Sequence, residues 1–150
     1  MRLTAAFRAF GAALACVALV AWAPGASAAR AEPSARDWKT IRQVIGDQRA
    51  ALRKDDAARA FGFASRGLRA QFESAENFMR MVHDGYQPLI DARRVEFLEG
   101  AVIDGQVIQP LRLVLADDTV LVALYTMLRE DGGRWRIAGC MIAPSTVRST

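Results

Sequence analysis

Histidine occurs once in the 150 residues, at position 83, and cysteine twice, at positions 16 and 140. So few ligating groups exclude the common zinc sites, which draw several Cys or His side chains together, and most catalytic arrangements built around histidine. No glycine-rich phosphate loop follows a strand and opens a helix, and no serine or cysteine occupies a recognisable nucleophile elbow. The acidic pairs Asp55-Asp56, Asp117-Asp118 and Glu130-Asp131 lack the alternating oxygen spacing and glycine of a calcium loop, and read as turns and caps. Excess charge of one sign is also small, with 20 Lys and Arg against 16 Asp and Glu. Arg49, Arg53, Lys54 and Arg59 carry no interleaved aromatics, so they read as solvated helix faces and predict no nucleic-acid partner. No metal or other cofactor is implied.

What is present is unevenly spread. Arg2 and Arg8 precede an apolar stretch from Phe10 to Ala23, which Pro24 and Gly25 end before Ala26-Ser27-Ala28. This is the pattern of an export signal cut after Ala28, with a periplasmic or secreted location and no membrane attachment once the leader is gone. The apolar run is shorter than the roughly 20 residues of a spanning helix, although an uncleaved anchor is the alternative. Cys16 follows Ala13-Leu14-Ala15 as in lipoprotein processing, but Val17 to Trp22 stays apolar. Without residues 1–28, 122 residues remain, enough for one domain with its own core. Cys140 is then a lone thiol in an oxidising compartment and cannot close an internal disulfide. It reads as a small buried hydrophobe before a reactive or bridging thiol.

Residues 29–36 have no hydrophobic period and form a flexible lead-in, 37–143 form a single α+β domain, and 144–150 a tail. The domain opens near Ser34. Trp38, Ile41, Ile45, Gln48 and Leu52 recur at helical spacing, predicting a long amphipathic helix to about Lys54. Asp55-Asp56 stops it and caps a second helix, with Ala57, Ala60, Phe61 and Ala64 on one face, ending before Gly67. A short turn follows over Leu68 to Phe72, and Ser74 caps a helix over Ala75 to His83 that Gly85 closes. The period then changes. Residues 94–103, 106–116, 119–129 and 135–143 are four strand-like runs, and Asp104-Gly105 is a strong hairpin signal. An antiparallel meander after helices is expected, with Pro110 marking a bulge or bend.

Two-residue turns at the first two hairpins, and two or four residues at the third, set the register. One face then collects Leu98, Leu111, Leu113, Val122, Leu124, Leu128, Trp135 and Ile137 as the core beneath the helices. The other holds Val95, Phe97, Ile108, Val114, Leu121, Tyr125, Met127, Cys140 and Ile142, interrupted by Glu99, Arg112 and Arg136. So apolar an outer face predicts a covering partner, a second copy making a homodimer. The same count turns Arg94, Glu96, Gln109 and Thr126 toward the helices, as pocket-lining groups or as residues solvated at an open rim.

The first helix ending in Asp55-Asp56, the Phe61-Gly62-Phe63 helix, Glu76-Asn77-Phe78 through Tyr86, then Tyr125-Thr126 and Gly132-Gly133-Arg134-Trp135-Arg136-Ile137-Ala138-Gly139-Cys140 resemble a bacterial family of unknown function, DUF4864. The pattern also resembles the wider nuclear-transport-factor-2-like, cystatin-like superfamily, over about Trp38 to Ile142. The resemblance implies N-terminal helices packed on a curved four-stranded antiparallel sheet, cone-like, often with a pocket at the open end and often dimeric through the sheet. That superfamily includes isomerases, dehydratases, hydrolases and binding domains, so fold alone assigns no reaction and no catalytic set carries over.

His83, beside Asp84, is either a proton carrier or a cation at a helix C-terminus, and the dipole favours the second. Adjacent helical residues point about 100° apart, so His83 and Asp84 are not a dyad. Tyr86 with Glu96 is the remaining tyrosine–carboxylate pair for cofactor-free chemistry. The leading expectation is a non-catalytic exported domain that binds a small ligand or a protein partner. Its binding residues are expected among Tyr86, Arg94, Glu96, Gln109 and Thr126. A pocket enzyme of isomerase, dehydratase or hydrolase type is the alternative.

Overall fold

Ser34 starts the first helix by the reciprocal exchange its sequence position predicts. Its hydroxyl accepts from the Asp37 amide at 3.2 Å, and the Asp37 carboxylate accepts from the Ser34 amide at 3.0 Å, relieving two amides that the helix start leaves unpaired. In a computed structural model of the chain, which describes residues 32–145, helix α1 runs Ala35–Arg53 and buries Ile41, Ile45, Gln48, Ala51 and Leu52. The leader and its cut site lie outside the described residues. Asp56 caps α2 (Ala57–Gly62), Ser65 caps α3 (Arg66–Phe72) and Ser74 caps α4 (Ala75–Gly85). The connection after α4 contains a further short helix, α5 (Gln87–Asp91), where Pro88 lies in the first turn and costs no helical hydrogen bond.

Five strands follow: β1 (Arg94–Phe97), β2 (Ala101–Ile103), β3 (Gln106–Val114), β4 (Val120–Arg129) and β5 (Trp135–Pro144). They form one antiparallel sheet in the order β1-β3-β4-β5, with β2 also paired to β3. The molecule is thus α+β, helices first and an open sheet second.

The expected single strand over 94–103 is broken. Phe97 faces Leu111 while Ala101 faces Ile108, so four steps of one chain meet three of the other, and an extra residue bulges out. Gln109 stabilises the break by donating from Nε2 to the Leu98 carbonyl at 2.7 Å and the Pro110 carbonyl at 3.0 Å. Pro110, which cannot donate to a ladder, lies opposite this irregular stretch. Its carbonyl still accepts from the Leu98 amide at 3.0 Å.

Hairpin lengths correct the expected faces. Asp104-Gly105 is a two-residue turn with both φ values positive, at 50° and 75°, as Asp-Gly predicts. The β3–β4 turn holds three residues, Ala116 to Asp118, between Leu115 and Thr119, whose amide–carbonyl bond closes it at 2.9 Å. Asp118 takes the left-handed conformation, φ 66°, that such three-residue loops require. This one-residue difference exchanges the two faces of β4. Ala123, Tyr125 and Met127 are therefore buried beneath the helices, with Leu121 packed against that core. Val122, Leu124, Thr126 and Leu128 take the opposite face.

Trp135 and Ile137 point inward as expected. The β4–β5 register then shifts between Thr126 and Met127, and Ala138 is the extra residue that turns Cys140 and Ile142 inward as well. The break after β1 does the same for Val95 and Phe97, which pack on the core. Ile108 is outside, as expected. Two ties lock the layers: Trp135 Nε1 donates to Asp37 Oδ1 at 3.0 Å, and Ile137 on β5 exchanges backbone bonds with Phe63 and Ser65. No helix among the described residues is long and apolar enough to cross a membrane.

Candidate functional site

The edge of β5, at its bulge, forms one wall of a pocket of about 500 Å³. Leu52 of α1, Phe72 of α3, Phe78 and Val82 of α4, and Leu89 of α5 make the apolar walls. Phe78 is fixed between Phe61 and Phe72, at ring separations of 5.5 and 5.7 Å, which holds that wall open without side-chain adjustment. The extra residue in β5 brings Ala138 and Gly139 to the pocket, and such small side chains leave room beside the strand.

Among the described residues, three polar side chains line the pocket, Gln48, Gln71 and Tyr86, and no charged one does. Gln48 is buried at the middle of α1 and donates to the Ala60 carbonyl at 3.3 Å. Tyr86, at the α4–α5 junction, reaches across to β5 and donates its hydroxyl hydrogen to the Cys140 carbonyl at 2.9 Å. Its oxygen keeps acceptor capacity.

Behind the Cys140 wall runs a polar file across three strands. Gln109 faces Tyr125, and Tyr125 faces Cys140. Gln109 and Tyr125 are both fully buried, yet Gln109 Oε1 has no hydrogen-bond partner and Tyr125 Oη has only a weak contact with the Cys140 thiol. Burial raises the Tyr125 pKa well above its ordinary value, and the neighbouring Cys140 thiol adds to the rise. Burial likewise pushes the Cys140 thiol up to about 12, so it stays protonated and is a poor nucleophile at neutral pH. Arg49 of α1 lies close enough to Tyr125 for their charges to interact. Its Nη2 donates to the Ala92 carbonyl at 2.7 Å, and its buried Nε is unpaired.

Of the residues singled out from the sequence, Tyr86 lines this pocket and Gln109 is buried behind it. Arg94, Glu96 and Thr126 are on the far side of the sheet, a correction that follows from the bulge after β1 and the three-residue β3–β4 turn. Arg94 is exposed there, and Glu96 faces its cross-strand neighbour Arg112 at 3.7 Å. Thr126 lines an outer groove of about 540 Å³ with Ile108, Leu124 and Met141. Tyr86 and Glu96 are therefore separated by the sheet and do not form an acid–oxyanion pair. His83 pairs with Asp55 at 3.0 Å, not with Asp84, and this contact raises its pKa.

Sequence reading missed Leu52, Phe72 and the β5 bulge as parts of one cavity. Gln48, a polar residue inside an apolar helical stripe, was the available signal. Among the described residues no group of three or more His, Cys, Asp or Glu side chains is placed to hold a metal ion.

A family model described as "Domain of unknown function (DUF4864)" matches residues 34–150. No curated protein and no solved structure matches the chain.

Proposed function

The chain belongs to the DUF4864 family, and from that premise we propose a non-catalytic binding domain, exported after removal of residues 1–28, that holds a small apolar ligand between its helices and β5. The supporting observation is the pocket of about 500 Å³ with apolar walls and, among the described residues, three polar side chains and no charged one. Pockets of this size, with a few placed polar groups on an apolar wall, suit small molecules. An ionised ligand group there would lose water without gaining a counter-charge. General acid–base work needs a titrating group beside the substrate, and the tyrosine, the one titratable oxygen on the wall, already donates to a backbone carbonyl. We therefore assign binding roles to Tyr86 and Gln48, and no catalytic role to any residue.

The same reading includes a cone-like sheet of the nuclear-transport-factor-2-like kind and a second copy covering its outer face. Ile103 and Met141, 56% and 61% exposed, rim the outer groove. In sedimentation velocity the protein should run as a dimer, and Met141→Asp should make it a monomer.

Titration with the uncharged dye N-phenyl-1-naphthylamine tests the pocket. The wild type should enhance its fluorescence saturably, and Leu68→Trp, which fills the pocket from α3, should abolish the effect while the melting temperature stays within a few degrees. Absence of saturable binding by the wild type overturns the reading.

A further inference from the structure

A fully buried hydroxyl without a strong hydrogen-bond partner is costly, and native interiors rarely keep one. Tyr125 Oη is such a group, with only the weak Cys140 thiol beside it. Its position relative to the pocket is fixed by register. Tyr125 is the direct cross-strand partner of Cys140 on the inner face, and Cys140 is part of the pocket wall. The side chain next to this hydroxyl is thus itself a pocket wall, and a small one. A thiol turns about one bond and is the easiest wall element to displace after Ala138 and Gly139.

The surrounding charge selects the kind of group that fits. The Arg49 cation, held by the Ala92 carbonyl, interacts with Tyr125 from the α1 side. Its field favours the negative end of a dipole, an oxygen, and opposes an ammonium. Among the described residues none lining the pocket is a cation, and Arg49 lies outside that lining with its Nη2 held by the Ala92 carbonyl, so a carboxylate head gains no direct ion pair. The opposite walls, Phe72, Phe78 and Leu52, suit an alkyl or similar tail.

Building on the ligand-pocket reading, we propose that the occupant is an uncharged amphiphile headed by a hydroxyl or carbonyl oxygen. Its tail lies against the helices, and its head displaces the Cys140 thiol to accept a hydrogen bond from Tyr125. Tyr125 is then a specificity-determining residue, one that no inspection of the pocket wall alone identifies. In the free protein this donor has only the weak thiol contact, which the ligand oxygen replaces.

Competition against bound N-phenyl-1-naphthylamine tests this with three probes of matched length: decan-1-ol, undecane and decanoate. The wild type should bind decanol more tightly than either of the others. Tyr125→Phe, with an unchanged near-ultraviolet circular dichroism spectrum, should weaken decanol about three- to tenfold, the range expected of one hydrogen bond, and leave undecane unchanged. Cys140→Val, which blocks the passage without touching the tyrosine, should remove the same advantage of decanol. Equal losses for decanol and undecane, or no loss for decanol in either variant, overturn the proposal. Decanoate binding more tightly than decanol overturns the uncharged head. Failure of the wild type to bind the dye and all three probes instead overturns the pocket reading on which the proposal rests.

Discussion

Gly100 stands where α1 passes the break between β1 and β2, and a Cβ built there would overlap the six-membered ring of Trp38. Its role is steric, since its φ is not among the positive values. Gly100→Ala should therefore lower stability by about 1–3 kcal/mol, the range for overpacking. In a Trp38→Leu background the same change should cost much less, and urea unfolding of the four proteins measures the coupling. Glu73 is the reverse case. It ends α3 at φ 66° and ψ −38°, a γ-turn closed by the Ser74 amide donating to the Phe72 carbonyl at 2.7 Å, a strained conformation that costs a non-glycine residue roughly 1–3 kcal/mol. Because the side chain is exposed, Glu73→Gly should raise the unfolding free energy read from urea titration by up to about 1 kcal/mol after the entropy of the glycine chain is subtracted.

Among the elements, the β3–β4 turn has the largest consequence per residue. Three residues there place Tyr125 and Met127 inside; two would place Leu124 and Leu128 inside and turn the tyrosine to solvent. Deleting Ala116 should thus cost more than about 2 kcal/mol, seen as loss of the near-ultraviolet signal or of a cooperative melt, and reinserting one glycine at that point should restore most of it. This turn also marks the limit of what the residues reveal unaided. Ser34, Asp56 and Ser74 announce their helices because a capping side chain acts within three residues. Asp104-Gly105 announces its hairpin because both residues tolerate positive φ. Asp117-Asp118 fits a two-residue turn or the end of a three-residue one equally well, and nothing local distinguishes them. The choice follows from what the whole of β4 buries. The bulges after Phe97 and at Ala138 depend likewise on partners far along the chain, Gln109 in one case and Thr126 and Met127 in the other. So the order of elements and the α1 face, including Gln48, were legible. The pocket was not, because it needs α1, α3, α4 and β5 in register at once, and an error of one residue exiled Tyr125 and drew Arg94, Glu96 and Thr126 inward.

For the molecule as a whole, three sets of titrating groups bound the pH range of greatest stability. Hydrogen bonds from Trp135 and Ser34 hold Asp37 at about 2, below the ordinary 3.8, and bonds from Thr119 lower Asp117. A lowered carboxyl contributes above its unfolded pKa and loses that contribution as pH falls through the folded value, so stability declines from about pH 4 toward 2. The Asp55 contact raises His83 above 6.5. Its contribution is complete below 6.5 and is lost as pH rises through the folded value, a small term because both partners are exposed. The buried acids act more strongly on the alkaline side. Cys140 moves from 9.0 to about 12 and Tyr125 rises from 10.0, so above pH 9 the unfolded chain ionises while the folded one does not. Stability must then fall as pH rises from 9 toward 12. Urea midpoints measured from pH 2 to 11 should give a plateau between the acid and alkaline declines. Asp37→Asn should flatten the acid side alone, and Tyr125→Phe the alkaline side alone. Because Tyr125→Phe removes a buried hydroxyl whose only neighbour is the weak Cys140 thiol, its midpoint at pH 7 should stay close to that of the wild type. A clear loss at pH 7 would mean that the hydroxyl has a strong partner in the free protein, against its being open to a ligand oxygen.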